Sequence, residues 1–279
     1  MKEGDIAKID LGVHIDGYIA MQAHTVFVGK ESTEVDGPLA DCYHAAYTAA
    51  EVIARKAQPG SSSKDVLDAC SQVAEAFGVN VFLGSTMHQV KRYIIEGAKS
   101  TTLSNHPDAN KGDKFTFESG EAYAIDLAMS TGEGKFKDNN NARTTVFKRN
   151  VNTKYALKNP TARKLLNNIN QSCPSLCFTL ASFEDETQAK VGIRELDTHG
   201  MVTPYTVMCE AKDAQVVHVK FTVLLLGGGN VKVTGLPPAA NVKSGKIGDI
   251  PAELQELLST VSVEKKKKVR SKKKKSPSA

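Results

Sequence analysis

Long hydrophobic runs are missing from this 279-residue chain: none approaches the ~20 residues that span a bilayer as a helix. That excludes a helical membrane span, and no membrane partner is expected. A basic-then-apolar secretory opening is missing too, so the cytosol or the nucleus is the expected compartment. Cysteine is scarce. Cys42, Cys70, Cys173, Cys177 and Cys209 are scattered, odd in number and without a CxxC pair. They read as free reduced thiols rather than a disulfide framework. Ser130-Thr131-Gly132-Glu133-Gly134-Lys135 is rich in glycine but lacks the spacing and the hydroxyl of a phosphate loop. No internal repeat of solenoid period is present. Basic residues are also short in supply outside one segment. Residues 265–275 hold nine of the 36 Lys and Arg; without them 27 basic residues face 31 acidic ones, a net charge of −4.

What is present reads as a globular α/β chain, with 41% hydrophobic and 24% charged residues. In Lys8-Ile9-Asp10-Leu11-Gly12-Val13-His14-Ile15-Asp16-Gly17, apolar and polar residues alternate with the period of a half-buried strand, and Asp16-Gly17 signals a hairpin turn. Asp10 points away from the face of Ile9, Leu11 and Val13. On residues alone, a hydrogen-bonded or exposed strand aspartate is the simpler reading; a metal ligand is the sharper one. Helical spacing predicts a helix over residues 36–57. A second follows a capping box of Ser62 and Asp65 and stops at Gly78. Strands are predicted over 79–83, 87–95, 114–118, 121–129 and 143–148. Helices are predicted from Asn159-Pro160 and over 184–196, with 174–183 irregular between them. Strands return at 205–209, 215–226 and 231–234, and a short helix at 251–258.

The hairpin motif resembles the first metal-ligand hairpin of type II methionine aminopeptidases. The resemblance implies an α+β pita-bread (creatinase/aminopeptidase-like) fold with a type II helical insertion, N-terminally incomplete. It divides the chain into a core over 1–157, the insertion over 158–205, returning core strands over 206–245, and a short helix with a Lys-rich tail over 246–279. It also implies five ligand positions: Asp10, Met21, His88 in Met87-His88-Gln89-Val90-Lys91, Asp126 in Tyr123-Ala124-Ile125-Asp126, and Lys220 before Phe221-Thr222-Val223. Here the set is degenerate. A thioether at Met21 does not replace a bridging carboxylate for a hard divalent ion. An ammonium at Lys220 repels such an ion by roughly 4 kcal/mol per unit charge pair at 4 Å. Lys220 is instead expected to pair with Asp10 or Asp126 in place of the metals, against the plainer alternative of reaching out to water. No catalytic residue, metal or other cofactor is expected.

These departures, with runs such as Ser130-Thr131-Gly132-Glu133-Gly134-Lys135 and Phe183-Glu184-Asp185-Glu186, resemble the proliferation-associated, ErbB-receptor-binding proteins. Those are non-catalytic relatives of the aminopeptidases. The resemblance implies a protein that binds ribosomes, rRNA or other structured RNA in ribosome biogenesis or translation and growth regulation, with signalling proteins as a further partner class. An active metal-dependent aminopeptidase and a protein-binding adaptor without RNA contact are the alternatives. The tail supports the first reading. Lys265, Lys266, Lys267, Lys268, Arg270, Lys272, Lys273, Lys274 and Lys275 repel one another, which predicts disorder. They suit a phosphate backbone rather than base stacking, since no aromatic residue interleaves. They also fit a nuclear or nucleolar import signal, so the expected localisation is cytoplasm with nucleus or nucleolus.

Overall fold

The hairpin forms where the sequence places it. The computed structural model describes residues 1–29, 34–110, 112–138 and 142–260. In it β1 (Ile6–Ile15) and β2 (Tyr18–Phe27) pair antiparallel along their whole length, Ile15 opposite Tyr18 and Ile6 opposite Phe27. Asp16 and Gly17 have φ of +50° and +81°. This turn conformation matches the twist of the flanking strands.

After the hairpin come α1 (Gly37–Lys56), α2 (Ser63–Phe77), β3 (Asn80–Val81), β4 (Thr86–Val90), β5 (Ser100–Thr102), β6 (Ala122–Ser130), β7 (Lys137–Asp138) and β8 (Val146–Arg149). They are followed by α3 (Pro160–Ser172), β9 (Cys177–Thr179), α4 (Glu186–Thr198), β10 (Val202–Pro204), β11 (Met208–Cys209), β12 (Val216–Leu224), β13 (Val231–Lys232) and α5 (Ala252–Ser259). Eight strands make one sheet in the order β1-β2-β12-β6-β4-β5, with β13 joined to β12 and β3 to β6.

Strand alternation divides the work of this sheet between its faces. Tyr123, Ile125, Leu127 and Met129 of β6 and Val217, Val219, Phe221 and Val223 of β12 are buried in one core with α1 and α2. The alanines of α1 (Ala45, Ala46, Ala49 and Ala50 are fully or almost fully buried) let that helix lie close to the strands. The capping box starts α2: Ser62 accepts the N–H of Lys64, and Asp65 accepts that of Ser62 at 2.9 Å. Gly78 ends it in the left-handed region at φ +66°. The even-numbered residues of β6 and β12 line the opposite face.

A second core lies in the later part of the chain. Ala162, Leu165 and Ile169 of α3 pack with Ala189, Ile193 and Leu196 of α4, and Phe147 and Phe178 of a small sheet β10-β8-β9 join them. Gly192 permits the close helix contact: a Cβ there would meet Leu165 at 3.1 Å and the Thr161 carbonyl at 3.2 Å.

Several expectations need correcting. β1 is not half-buried through its apolar face. Ile9, Leu11, Val13 and Ile15 are exposed, because α1 packs behind β6 and β12 and leaves this part of the hairpin uncovered. The strand expected over 87–95 ends at Val90. Lys91 and Ile94 then close a turn on each other, Tyr93 takes φ +61°, and its N–H donates to the Gly17 carbonyl. Residues 114–118 form no strand but hydrogen-bond to the loop before α2, through Phe115, Phe117, Ser61 and Ser63. Residues 174–183 are not irregular throughout: they contain β9 and a 3₁₀ turn over Leu180–Ser182. The strand expected over 205–209 shrinks to Met208–Cys209. The five cysteines form no disulfide among the described residues, as expected.

Candidate functional site

The sheet gathers all five predicted positions. Asp10 lies on β1, Met21 on β2, Lys220 on β12, Asp126 on β6 and His88 on β4, five consecutive strands in space. Register puts them on one face. Asp10 and Lys220 both lie opposite Ala23, Lys220 lies opposite Asp126, and His88 lies opposite Ala124, two residues from Asp126. This is the face that alternation turns away from the helices.

Lys220 stands at the centre. Its Nζ lies 2.6 Å from Asp10 Oδ2 and 2.9 Å from Asp126 Oδ2, and only 12% of its side chain is exposed. It therefore does not reach out to water. Burial works against the ammonium, but the Asp126 and Asp10 carboxylates outweigh it and hold the Lys220 pKa above the ordinary lysine value. Burial likewise opposes the charge on Asp126. The His218 hydrogen bond and Lys220 overcome that and bring its carboxyl down to about 2.

His218 is a member of the group that sequence reasoning missed. Its Nε2 lies 2.6 Å from Asp126 Oδ1. The signal was available: Val217, Val219, Phe221 and Val223 alternate toward the core, so His218, Lys220 and Thr222 must share the other face. Thr222 Oγ1 accepts the Met21 N–H at 2.9 Å. The Met21 side chain is buried with Val90 and Ala124, with Ile19 and Ile95 beside them. At this position the sheet carries an apolar plug.

His88 is held less tightly. Thr86 Oγ1 is 3.5 Å from its Nδ1, and burial lowers its pKa. The field it feels includes Asp126, Glu96, Lys220 and Lys148. Glu96 bonds Lys148 at 2.5 Å and accepts the Tyr205 hydroxyl at 2.9 Å. Through Lys148 of β8, the small sheet thus borders the site.

Comparisons with known proteins identify the family. Residues 1–145 match the sequence profile of metallopeptidase family M24. The chain belongs to that family. It is 39% identical over 236 residues to "Proliferation-associated protein A" of Dictyostelium discoideum, covering 84% of this chain and 60% of that protein. It is also 39% identical over 234 residues to "ERBB-3 BINDING PROTEIN 1" of Solanum tuberosum, covering 84% and 59%. This chain thus spans about 60% of the length of these curated relatives. Among solved structures it resembles a thermophilic Arx1, with a TM-score of 0.81 and 26% identity over 93% of this chain and 75% of that one. The fold is the M24 pita-bread fold, shared with methionine aminopeptidases.

Metallopeptidases of this fold hold divalent ions between carboxylates, where the ions make a nucleophile of bound water. The side chains of this M24 chain do not fit such a centre. An ammonium occupies the space between two carboxylates, and a buried thioether stands among apolar groups. Neither offers the hard oxygen ligands that these ions require. The group is instead a closed set of charges, with Lys220 between Asp10 and Asp126, and His218 against Asp126. The predicted tail residues 265–275 lie outside the described residues.

Proposed function

We propose that this chain is a catalytically inactive aminopeptidase-fold protein. It binds ribosomes or structured RNA in the cytoplasm and the nucleus or nucleolus, and serves ribosome biogenesis or translation and growth regulation. The Lys220 ammonium between Asp10 and Asp126 carries the inactive half of this reading. The family resemblance and the nine charges over 265–275 support the RNA half. A groove on the folded body adds a second surface. Arg143, Lys190 and Arg194 stand around an apolar floor that includes Phe147, Leu180 and Ile193, in a cavity of about 320 Å³. The guanidinium groups of Arg143 and Arg194 are exposed and suit phosphate oxygens, while Lys190 is paired with Glu186 at 2.6 Å and Asp197 also lines the groove.

The test has two arms. The first is metal content after incubation with manganese or cobalt and desalting, together with an aminopeptidase assay. Less than a stoichiometric amount of metal and no turnover are expected; one or two retained equivalents would refute the inactive half. The second is co-sedimentation with ribosomes and binding to structured RNA across a salt series. Salt-sensitive binding is expected. Its absence at every salt concentration would leave the protein-adaptor reading, which the printed name of the ERBB-3 binding relatives favours.

A further inference from the structure

We propose that Ser182 is a phosphorylation site for an acidophilic serine/threonine kinase, and that its phosphate pairs with Arg143 and so occupies the groove on the folded body. The sequence supplies the first observation. In Ser182-Phe183-Glu184-Asp185-Glu186, acidic residues stand at the second, third and fourth positions after the serine. No other serine or threonine in the 279 residues is followed by acids at all three places. Acidophilic kinases select such carboxylates because cationic side chains line that side of their clefts.

The structure leaves this stretch open. Ser182 ends the 3₁₀ turn over Leu180–Ser182 and is exposed, as are Glu184, Asp185 and Glu186. The turn belongs to the second core, whose buried members all come from residues 147–202, and not to the hairpin. The Ser182 hydroxyl meets the Thr179 hydroxyl at 2.9 Å, an exposed bond that water replaces at little cost. Kinase clefts take their substrates extended. Phe183 already has φ −98° and ψ 145°, and α4 begins only at Glu186.

The kinase's Mg-ATP supplies the group. Ser182 Oγ attacks the γ-phosphorus of ATP. A new P–O bond forms, the bond to the β,γ-bridging oxygen breaks, ADP leaves, and the hydroxyl proton passes to the kinase's base. The product carries about −1.5 to −2 charge and three strong acceptor oxygens. Strand pairing sets what it meets. Val146 of β8 lies opposite Thr179 of β9, and the Leu180 N–H donates to the Thr145 carbonyl at 3.3 Å. Carried on, this antiparallel run brings Arg143 alongside Ser182. Arg143 is exposed and shares its groove with Leu180, Lys190, Arg194 and Asp197. Lys190 is engaged by Glu186 at 2.6 Å. Glu184 and Asp185, next along the chain, repel the dianion and turn it toward Arg143, whose guanidinium takes phosphate oxygens in pairs. A phosphate held there blocks the groove; only this consequence rests on the RNA-binding function proposed above.

Incubating the full chain with a kinase of the casein kinase 2 class and Mg-ATP tests the site. The expected product has one added phosphoryl group, placed at Ser182 by fragmentation mass spectrometry. Ser182→Ala should abolish it. Asp185→Asn keeps the α4 cap, since Asn caps as well as Asp, but removes a recognition charge and should slow labelling about tenfold or more. Titration of the labelled chain by ³¹P NMR reads the pairing. A free phosphoserine loses its second proton at about pH 6; Arg143 should bring that value down, and Arg143→Gln should return it. No label, label undiminished in Ser182→Ala, or labelling indifferent to Asp185→Asn overturns the site. A phosphate whose titration ignores Arg143→Gln overturns the pairing. The labelled full chain should also bind structured RNA several-fold more weakly. If neither form binds RNA, the function proposed above fails, while the label and the titration still decide this inference.

Discussion

Lys220 and Asp126 are register partners on β12 and β6, and their charged ends meet at 2.9 Å on the face that the strand alternation turns away from the helices. Breaking a well-buried pair by removing one partner costs about 3–5 kcal/mol. Asp126 keeps 28% and Asp10 46% of its side chain exposed, so water recovers part of that cost. Lys220→Met is expected to lower stability by about 2–4 kcal/mol in urea unfolding. Asp126→Asn in the same background should recover part of the loss. A neutral Lys220→Met would show that the ammonium does not hold the carboxylates in place.

The same pair sets a pH window. Asp126 is brought from 3.8 to about 2 in the folded state. A carboxyl depressed on folding adds stability that is full above its unfolded pKa and lost as pH falls through the folded one. Acid unfolding should therefore steepen between pH 4 and pH 2, with about 2 kcal/mol at stake from this group. Lys220 is raised above 10.5, so its contribution is full below that value and fades as pH rises past the folded pKa. Urea titrations across pH should show both limbs, and Asp126→Asn should flatten the acid one.

Restoring hard ligands should restore metal. Met21→Asp with Lys220→Glu replaces the thioether and the ammonium by carboxylates next to Asp10 and Asp126. The double variant is expected to retain manganese after desalting and to gain thermal stability when the ion is present. Calorimetric titration of wild type and variant checks this. If the variant binds no more metal than wild type, the geometry of the sheet and not the ligand chemistry is what closes the site.

Deleting residues 265–275 removes nine positive charges. If all nine meet phosphates, the slope of log affinity against log salt for single-stranded RNA should become shallower by up to about 6. Filter binding across a salt series measures it. An unchanged slope would assign binding to the folded body.

Binding that survives that deletion is expected at the groove of Arg143, Lys190 and Arg194. Reversing Arg143 and Arg194 to Glu in the shortened chain should reduce RNA affinity about tenfold or more. Thermal unfolding should barely change, because substitutions at exposed positions away from the core have small effects on stability.

Much of the fold was legible in the order of residues. Helical spacing and the Ser62–Asp65 box located α1 and α2, because these signals are local. Strand alternation located β1, β2, β6 and β12 to within a few residues. Short strands were harder. β5 has three residues and no alternation to read, and 114–118 has a strand-like composition but finds its partner in the loop before α2.

The chain order by itself determined the chemistry available: a lysine and a methionine beside Asp10, His88 and Asp126, and a basic segment on a mildly acidic body. Only the tertiary structure decided how that chemistry is arranged. Positions up to 210 residues apart meet at Lys220, and His218 joins them by sharing its face. The apolar face of β1, which alternation alone would bury, stands exposed because no helix among the described residues lies behind it. The physical reason is the same in each case. Period and capping are set within a few residues, whereas partners and burial depend on which distant segment comes to lie alongside.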